Sequence, residues 1–294
     1  MTPRTLILAT RGSKLALAQS GRVAGMIEAA NAGVRVVLRQ VVTSGDTTAG
    51  PLRDHGGKGL FTKEIEQALL RGEADVAVHS FKDVPVTMPL VEGAEEELVI
   101  AAVPPRADVR DVLVTRDDQA LAGLRAGAVV GTSSPRRRAL LLSERPDLTI
   151  VELRGNVDTR LAKVASGELD AVVLAWAGLE RIGVLSGMMY PLDPQDFVPA
   201  AGQGALAVQC RAEDRDTRDI LGNIDCPDDR RCVAAERRVV ELLDGDCTSP
   251  IGAWATLHDE SLHLRVAWHD GQQLRREVGA DPESCVGFLK NPSG

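Results

Sequence analysis

The feature that most constrains this chain is a repeated alternation of short strands, rich in Val, Ile and Leu, with amphipathic helical stretches over its first two thirds. Leu6–Ala9 reads as a strand, Lys14–Ala30 as a helix, Val34–Val42 as a strand, Phe61–Leu70 as a helix and Asp75–His79 as a strand. After the Pro104-Pro105 break the rhythm returns, with strands at Ala128–Gly131, Thr149–Leu153 and Asp170–Leu174 and helices at Pro135–Ser143 and Asn156–Ser166. Interior strands this apolar need cover on both faces, which predicts α/β domains with largely parallel sheets. The segment Pro191–Pro199 reads as a crossover. Beyond it, Arg230–Leu243 is an amphipathic helix, and alternating runs at Ala253–His258, Leu262–Trp268 and Leu274–Val278 predict a small third domain with an antiparallel sheet. Ser44–Gly59, with five glycines, reads as a long mobile loop.

Charge and cysteine usage narrow the function. A net charge of −8 disfavours nucleic acid or an anionic membrane as partner. The longest apolar run, Ala171–Leu179, is about half of the roughly 20 residues a membrane span needs. Leu6–Ala9 is too short for a signal segment, and the five cysteines are odd in number. Reduced thiols in the cytoplasm are therefore expected. No C-x-x-C and no H-E-x-x-H occurs, so no metal site is expected. Gly56-Gly57-Lys58-Gly59 lacks the spacing of a phosphate loop, and Gly202-Gln203-Gly204 is too short for a nucleotide motif.

In an open parallel sheet, ligands bind at the carboxyl ends of the strands, often where a helix begins. Four expected strand ends carry Arg, Lys or Asp beside small hydroxyl residues. They are Thr10-Arg11-Gly12-Ser13, Ser80-Phe81-Lys82-Asp83, Thr132-Ser133-Ser134-Pro135-Arg136-Arg137-Arg138 and Arg154-Gly155-Asn156 with Arg160 one turn on. Ser134 before Pro135 is a strong helix start. Three arginines in the first turn oppose the helix dipole by roughly 0.3–1 kcal/mol each. An anion able to bridge guanidinium groups would reverse that preference, and Arg suits planar carboxylates. The alternative is a solvated basic face paired with Glu144 and Asp147. Lys82-Asp83 is, on the same footing, either a site or a surface pair. Cys247 lies in a Gly- and Pro-flanked turn, Asp244-Gly245-Asp246-Cys247-Thr248-Ser249-Pro250, a poor place to hide an inert thiol.

Eight blocks then align with one family. They are ATRGSKLALAQ (Ala9–Gln19), GGKGLFTKEIE (Gly56–Glu66), AVHSFKDVP (Ala77–Pro85), GTSSPRRR (Gly131–Arg138), LRGNVDTRL (Leu153–Leu161), AGLERIG (Ala177–Gly183), AAGQGAL (Ala200–Leu206) and AERRVVELLDGDCTSPIG (Ala235–Gly252). In this order they resemble the porphobilinogen deaminases, or hydroxymethylbilane synthases. The resemblance implies two periplasmic-binding-protein-like lobes with a small α+β C-terminal domain. The expected boundaries are 1–102 with 198–222, 103–197, and 223–294.

It further implies a transferase of tetrapyrrole biosynthesis that condenses porphobilinogen head to tail, with loss of ammonia, onto a dipyrromethane cofactor held as a thioether by Cys247. Asp83 matches the catalytic aspartate, which stabilises cationic pyrrole species and relays protons. Arg11, Ser13, Lys82, Arg136, Arg137, Arg154, Arg160 and Arg181 match positions that bind acetate and propionate groups. Ser80, Thr132 and Ser134 match supporting hydrogen-bond positions. A cytoplasmic monomer is implied. Two residues depart from the pattern, Asp246 before the cysteine and Ser249 after it. A carboxylate beside the thiol disfavours the thiolate, so slow cofactor loading with normal turnover is expected. Shifts of the domains between cycles are also expected, with hinges at Pro104-Pro105 and Pro191–Pro199 and a lid at Ser44–Gly59.

Overall fold

The computed structural model describes residues 4–43, 62–85, 97–246 and 248–291. Ser44–Gly59 and Cys247 lie outside these. The chain divides into two compact units, Met1–Arg106 with Ala205–Arg230, and Ala107–Gly204 with Arg231–Gly294.

The first unit is built on a five-stranded sheet of order β2-β1-β3-β10-β4. Its strands are β1 (Arg4–Thr10), β2 (Val34–Gln40), β3 (Val76–Ser80), β4 (Leu98–Ala102) and β10 (Leu206–Arg211). β1 runs parallel to β2 and β3, and β10 is antiparallel to both its neighbours. Leu6 and Leu8 face α1 (Lys14–Ala30), where Val23 and Ile27 join them in one core. Ala9 and Ala77 face the opposite way, onto Ile65 and Leu69 of α2 (Lys63–Leu70). Both faces are covered, which is why these strands carry no polar alternation.

The second unit repeats the plan, with sheet order β7-β6-β8-β5-β9. Its strands are β5 (Asp111–Thr115), β6 (Val129–Gly131), β7 (Thr149–Val151), β8 (Ala171–Ala175) and β9 (Met189–Pro191). β6, β7 and β8 are parallel, and β5 is antiparallel to β8 and β9. Val112, Val114, Val172 and Leu174 form the core on one face. Leu113 and Val173 join Leu140 and Leu141 of α3 (Pro135–Glu144) on the other. Helices α4 (Val157–Ala165) and α5 (Trp176–Arg181) complete the lobe. The fold class is α/β, as expected.

Two further helices follow the return to the first unit's sheet, α6 (Arg215–Gly222) and α7 (Pro227–Leu242). The C-terminal segment adds a three-stranded antiparallel sheet, β11 (Ile251–His258), β12 (Ser261–His269) and β13 (Leu274–Gly279), and α8 (Pro282–Lys290). Trp254, Ala267 and Leu274 of this sheet pack into the same core as Leu140 and Phe197, so segment 231–294 belongs to the second unit. Glu236 of α7 ties the pieces together. It is fully buried and accepts from Gly202 N at 2.7 Å and Ala255 N at 2.8 Å.

The chain crosses between units at 106/107, 204/205 and 230/231. The first crossing adjoins Pro104-Pro105. The second falls after Pro191–Pro199, which lies inside the second unit and supplies a carbonyl, Val198 O, to Arg136. At the second crossing Gly204 has φ +86°, and a Cβ there would stand 2.4 Å from Ala107 O, so no other residue fits this approach.

A buried histidine in the first unit sets a pH dependence. His79 is buried against Gln209, which in turn bonds Glu66, and desolvation pushes its pKa from 6.5 down to about 4. The unfolded chain takes up this proton near pH 6.5 and the folded chain only near pH 4, so stability is complete above 6.5 and falls as pH drops through that window. Acidifying from pH 7 to 5 is expected to remove about 2 kcal/mol through this group. Denaturant unfolding at the two pH values, against a His79→Gln variant lacking that part of the slope, checks it.

Candidate active site

In the first unit, parallel and adjacent β1 and β3 bring their carboxyl ends to the same edge of the sheet. From β1 come Arg11 and Ser13. Ser13 caps α1, its Oγ accepting from Ala16 N at 3.3 Å. From β3 come Ser80 and a 3-10 turn, Phe81–Asp83, in which Lys82 is half-buried and Asp83 exposed. Two residues that sequence reasoning did not single out hold this edge. Gln19 Nε2 donates to Ser80 Oγ at 2.8 Å, and Ser20 Oγ donates to Thr10 Oγ1 at 2.8 Å. Both are buried on α1, one and two residues beyond its first turn-and-a-half, where a purely structural helix would carry apolar groups.

In the second unit, β6, β7 and β8 are neighbours and parallel, and they bring Thr132, Ser134, Arg154 and the start of α5 to one edge. Ser133 joins the ends of β6 and β7, donating to Leu153 O and accepting from Leu153 N. Ser134 caps α3 as expected, accepting from Arg137 N at 3.4 Å, and its own N–H reaches Thr132 Oγ1 at 3.2 Å. Arg160 Nε donates to Gly155 O at 2.8 Å, and Arg181 Nη2 to Gly204 O at 2.6 Å. Arg154 pairs with Glu152 at 3.0 Å on the surface, a weak pair.

The arginines at the head of α3 require a correction. Neither Glu144 nor Asp147 is their partner; Asp147 holds Arg145 instead. Arg136 and Arg137 are 4% and 7% exposed and converge on Asp111, which is fully buried. Arg136 Nη1 donates to Asp111 Oδ2 at 2.7 Å and to Val198 O at 2.8 Å. Arg137 Nε and Nη2 donate to Asp111 Oδ1 at 3.0 and 2.8 Å, and its Nη1 to Val173 O at 2.8 Å. Gln203 Nε2 adds a bond to Asp111 Oδ1 at 3.0 Å. The anion that the first turn of α3 calls for is thus in part internal.

Asp111 reaches it because β5 runs against β8 and so begins at the edge where α3 starts. The signal in the sequence was an aspartate heading the apolar strand Val112–Val114: an acid buried there must meet a cation. Two guanidinium groups on one carboxylate leave a positive charge in excess, and desolvation lowers the Arg136 pKa. That excess, with the hydroxyls of Thr132 and Ser134 at the same strand end able to donate, fits a ligand bearing carboxylates.

Around the expected attachment residue, Asp246 and Ser249 bond each other. Asp246 Oδ1 accepts from Thr248 N at 2.9 Å, Thr248 Oγ1 at 2.7 Å and Ser249 Oγ at 3.1 Å, while Ser249 Oγ accepts from Asp246 N at 2.9 Å. The two departures from the family pattern therefore form one turn. Elsewhere in the first unit, a depression of 590 Å³ beside β4 is lined by Arg215, Arg218 and Arg230. It contains none of the expected site residues, and Arg230 is spent on Asp225 and two carbonyls.

Comparison with known proteins decides the family. Residues 6–219 match the model described as porphobilinogen deaminase, dipyromethane cofactor binding domain, and residues 230–285 match porphobilinogen deaminase, C-terminal domain. The chain belongs to the porphobilinogen deaminase family. The porphobilinogen deaminase of Syntrophobacter fumaroxidans is 47% identical over 279 residues, covering 94% of this chain and 88% of that protein. That of Sorangium cellulosum is 49% identical over 277 residues, covering 93% and 90%. Among solved structures, the extracellular-binding protein ytmK from Bacillus subtilis overlays 74% of this chain and 89% of its own at 10% identity and a TM-score of 0.43, too distant to carry any part of the assignment.

Within this member of the deaminase family, Asp111 is expected to be a structural keystone and Arg154 a surface group. Asp111→Asn leaves two buried guanidiniums without their counter-charge and is expected to destabilise by about 3–5 kcal/mol. Arg154→Ala is expected to stay within about 0.5 kcal/mol of the parent. Paired denaturant titrations check both.

Proposed function

We propose that this chain is a hydroxymethylbilane synthase, joining successive porphobilinogen molecules head to tail with release of ammonia and freeing the linear tetrapyrrole by hydrolysis. The observation that carries the reading is the strand-end donor set of each lobe, Arg, Lys, Ser and Thr with the exposed carboxylate of Asp83 among them, in a chain that matches the family over 6–219 and 230–285. A substrate with acetate and propionate groups needs many donors, and a reaction through cationic pyrroles needs one well-placed acceptor.

Arg11, Ser13, Ser80 and Lys82 in the first unit, and Thr132, Ser134, Arg136, Arg137, Arg154, Arg160 and Arg181 in the second, bind the side-chain carboxylates. Guanidinium groups do so bidentately, which orients as well as attracts. The dipyrromethane cofactor, held by Cys247, supplies when bound the pyrrole terminus that substrate joins. Asp83 accepts the pyrrole N–H and stabilises the positive charge that develops as the carbon–nitrogen bond of the aminomethyl group breaks and ammonia leaves. As the new carbon–carbon bond forms, Asp83 takes the proton lost from the ring carbon. The protein acts as a monomer in the cytoplasm; among the described residues no helix is long and apolar enough to cross a membrane. Pro104-Pro105, beside the first crossing, and Pro191–Pro199, within the second unit, serve as hinges while the product lengthens.

Intact mass of the purified protein beside its Cys247→Ser variant tests the reading. A wild-type excess of two linked pyrrole units, absent from the variant, is expected. A bare mass even after incubation with porphobilinogen, with no ammonia released, leaves a bilobed binding protein instead. Asp83→Asn is expected to lower kcat for ammonia release by roughly 10²–10⁴-fold while the fold persists. Asp246→Asn keeps the turn's acceptor and removes the charge, so apo-enzyme is expected to load faster with turnover unchanged; equal loading rates in a time course remove that role for Asp246.

A further inference from the structure

Three polar side chains that this chemistry does not use are packed in line at the end of the strand leading to Asp83. His79 on β3, Gln209 on β10 and Glu66 on α2 are 6%, 1% and 0% exposed. His79 Nε2 meets Gln209 Oε1 at 3.1 Å, and Gln209 Nε2 donates to Glu66 Oε1 at 3.1 Å. β3 and β10 pair antiparallel, with Ala207 opposite His79 and Gln209 opposite Ala77. His79 and Gln209 are therefore diagonal neighbours on one face of the sheet. The register of β10 against β4 shifts between Val208 and Gln209, the kind of irregularity that re-aims a side chain.

The chemistry of these groups gives the chain a direction. A carboxylate only accepts, so Glu66 turns the amide NH2 of Gln209 toward itself. The amide oxygen then faces the imidazole and can only accept, so His79 carries its proton on Nε2. Burial holds the ring neutral, with its pKa near 4, so the tautomer is what Glu66 dictates and charge does not enter. An apolar triplet would fill this space without desolvating polar groups, whereas a satisfied polar chain specifies one arrangement.

The next residue is held from the other side. Successive side chains of a strand point to opposite faces, and Ser80 is bonded to Gln19 of α1. Immediately beyond, Phe81 N bonds Ala205 O and Val84 N bonds Phe81 O, both at 3.1 Å, closing the turn that presents Asp83.

We infer that Glu66, acting through Gln209 and His79, is a positioning device for Asp83: it holds the end of β3 at one heading, so that the carboxylate meets every incoming substrate in the same place. This rests on the reading of Asp83 as the catalytic carboxylate.

Nitrogen-15 NMR of the His79 ring in wild-type holoenzyme between pH 6 and 8 reads the tautomer. The Nε2–H form throughout is expected; an Nδ1–H form or an imidazolium overturns the chain. Glu66→Gln can donate or accept, so the direction is lost. It is expected to give mixed tautomers and a kcat for ammonia release lower by roughly ten- to a hundredfold, with KM within about twofold. Placed on Asp83→Asn, the same change is expected to cause no further loss, because no carboxylate remains to be positioned. An unchanged kcat, or the same fold loss in both backgrounds, overturns the proposal.

His79→Gln and His79→Leu provide a second pair should Glu66→Gln not fold. The glutamine still donates to Gln209 and is expected to stay within roughly threefold of wild-type kcat, while leucine, of similar volume, loses roughly tenfold or more. Equal rates for the two sink the idea. If wild-type enzyme releases no ammonia, the catalytic reading has failed, and the imidazole spectrum still reports on the chain.

Discussion

The second unit depends on one buried carboxylate. Asp111 holds Arg136 and Arg137 at the head of α3 and receives Gln203 from the turn before the return crossing, so one side chain joins a strand, a helix and a loop. A buried ion pair stabilises little relative to an apolar substitute, because desolvation offsets most of the Coulomb gain. Its consequence here is geometric. It fixes where two guanidinium planes stand, and leaves them with more positive charge than one aspartate neutralises, at the strand end where the proposed function has carboxylate groups bind.

The first unit uses neutral groups to the same end. Gln19 on one face and His79 with Gln209 on the other fix the close of β3, and the carboxylate of Asp83, proposed for the chemistry, stays exposed three residues past the strand. The contrast follows from the task. A binding arginine tolerates being anchored, since it has five donors and spends only some of them on the protein. An aspartate proposed to take and return protons needs its oxygens accessible, and on the inferred positioning its placement falls to neighbours that bond one another.

Much of the architecture was legible. The helix Lys14–Ala30 stands where the sequence placed it, because Ser13 caps it and its apolar residues recur at helical spacing. The start at Ser134-Pro135 was equally plain. The strands β4, β5, β9 and β10 went unseen, and of these β5 and β10 are the reversed strands of their sheets. β5 and β10 each follow soon after a crossing between units, and nothing local marks a strand whose partners lie more than fifty residues away, as Ala171–Ala175 does for β5 and Val76–Ser80 for β10. Missing β5 hid Asp111, and missing Asp111 left only an outside anion or the acids Glu144 and Asp147 as partners for the α3 arginines.

The sequence by itself determined the fold class, the family, and the strand ends, cysteine and aspartate on which the proposed reaction turns. Those are properties of local pattern: hydrophobic period, caps, and residue types at fixed spacing. Tertiary structure alone decided which polar groups are partners. The pairing of Arg136 and Arg137 with Asp111, of His79 with Gln209, of Gln209 with Glu66, and of Gln19 with Ser80 joins residues 25 to 143 positions apart. Hydrogen bonds form over about 3 Å in space whatever the distance along the chain, so only the folded sheet, by setting strand order and direction, settles which donors and acceptors meet.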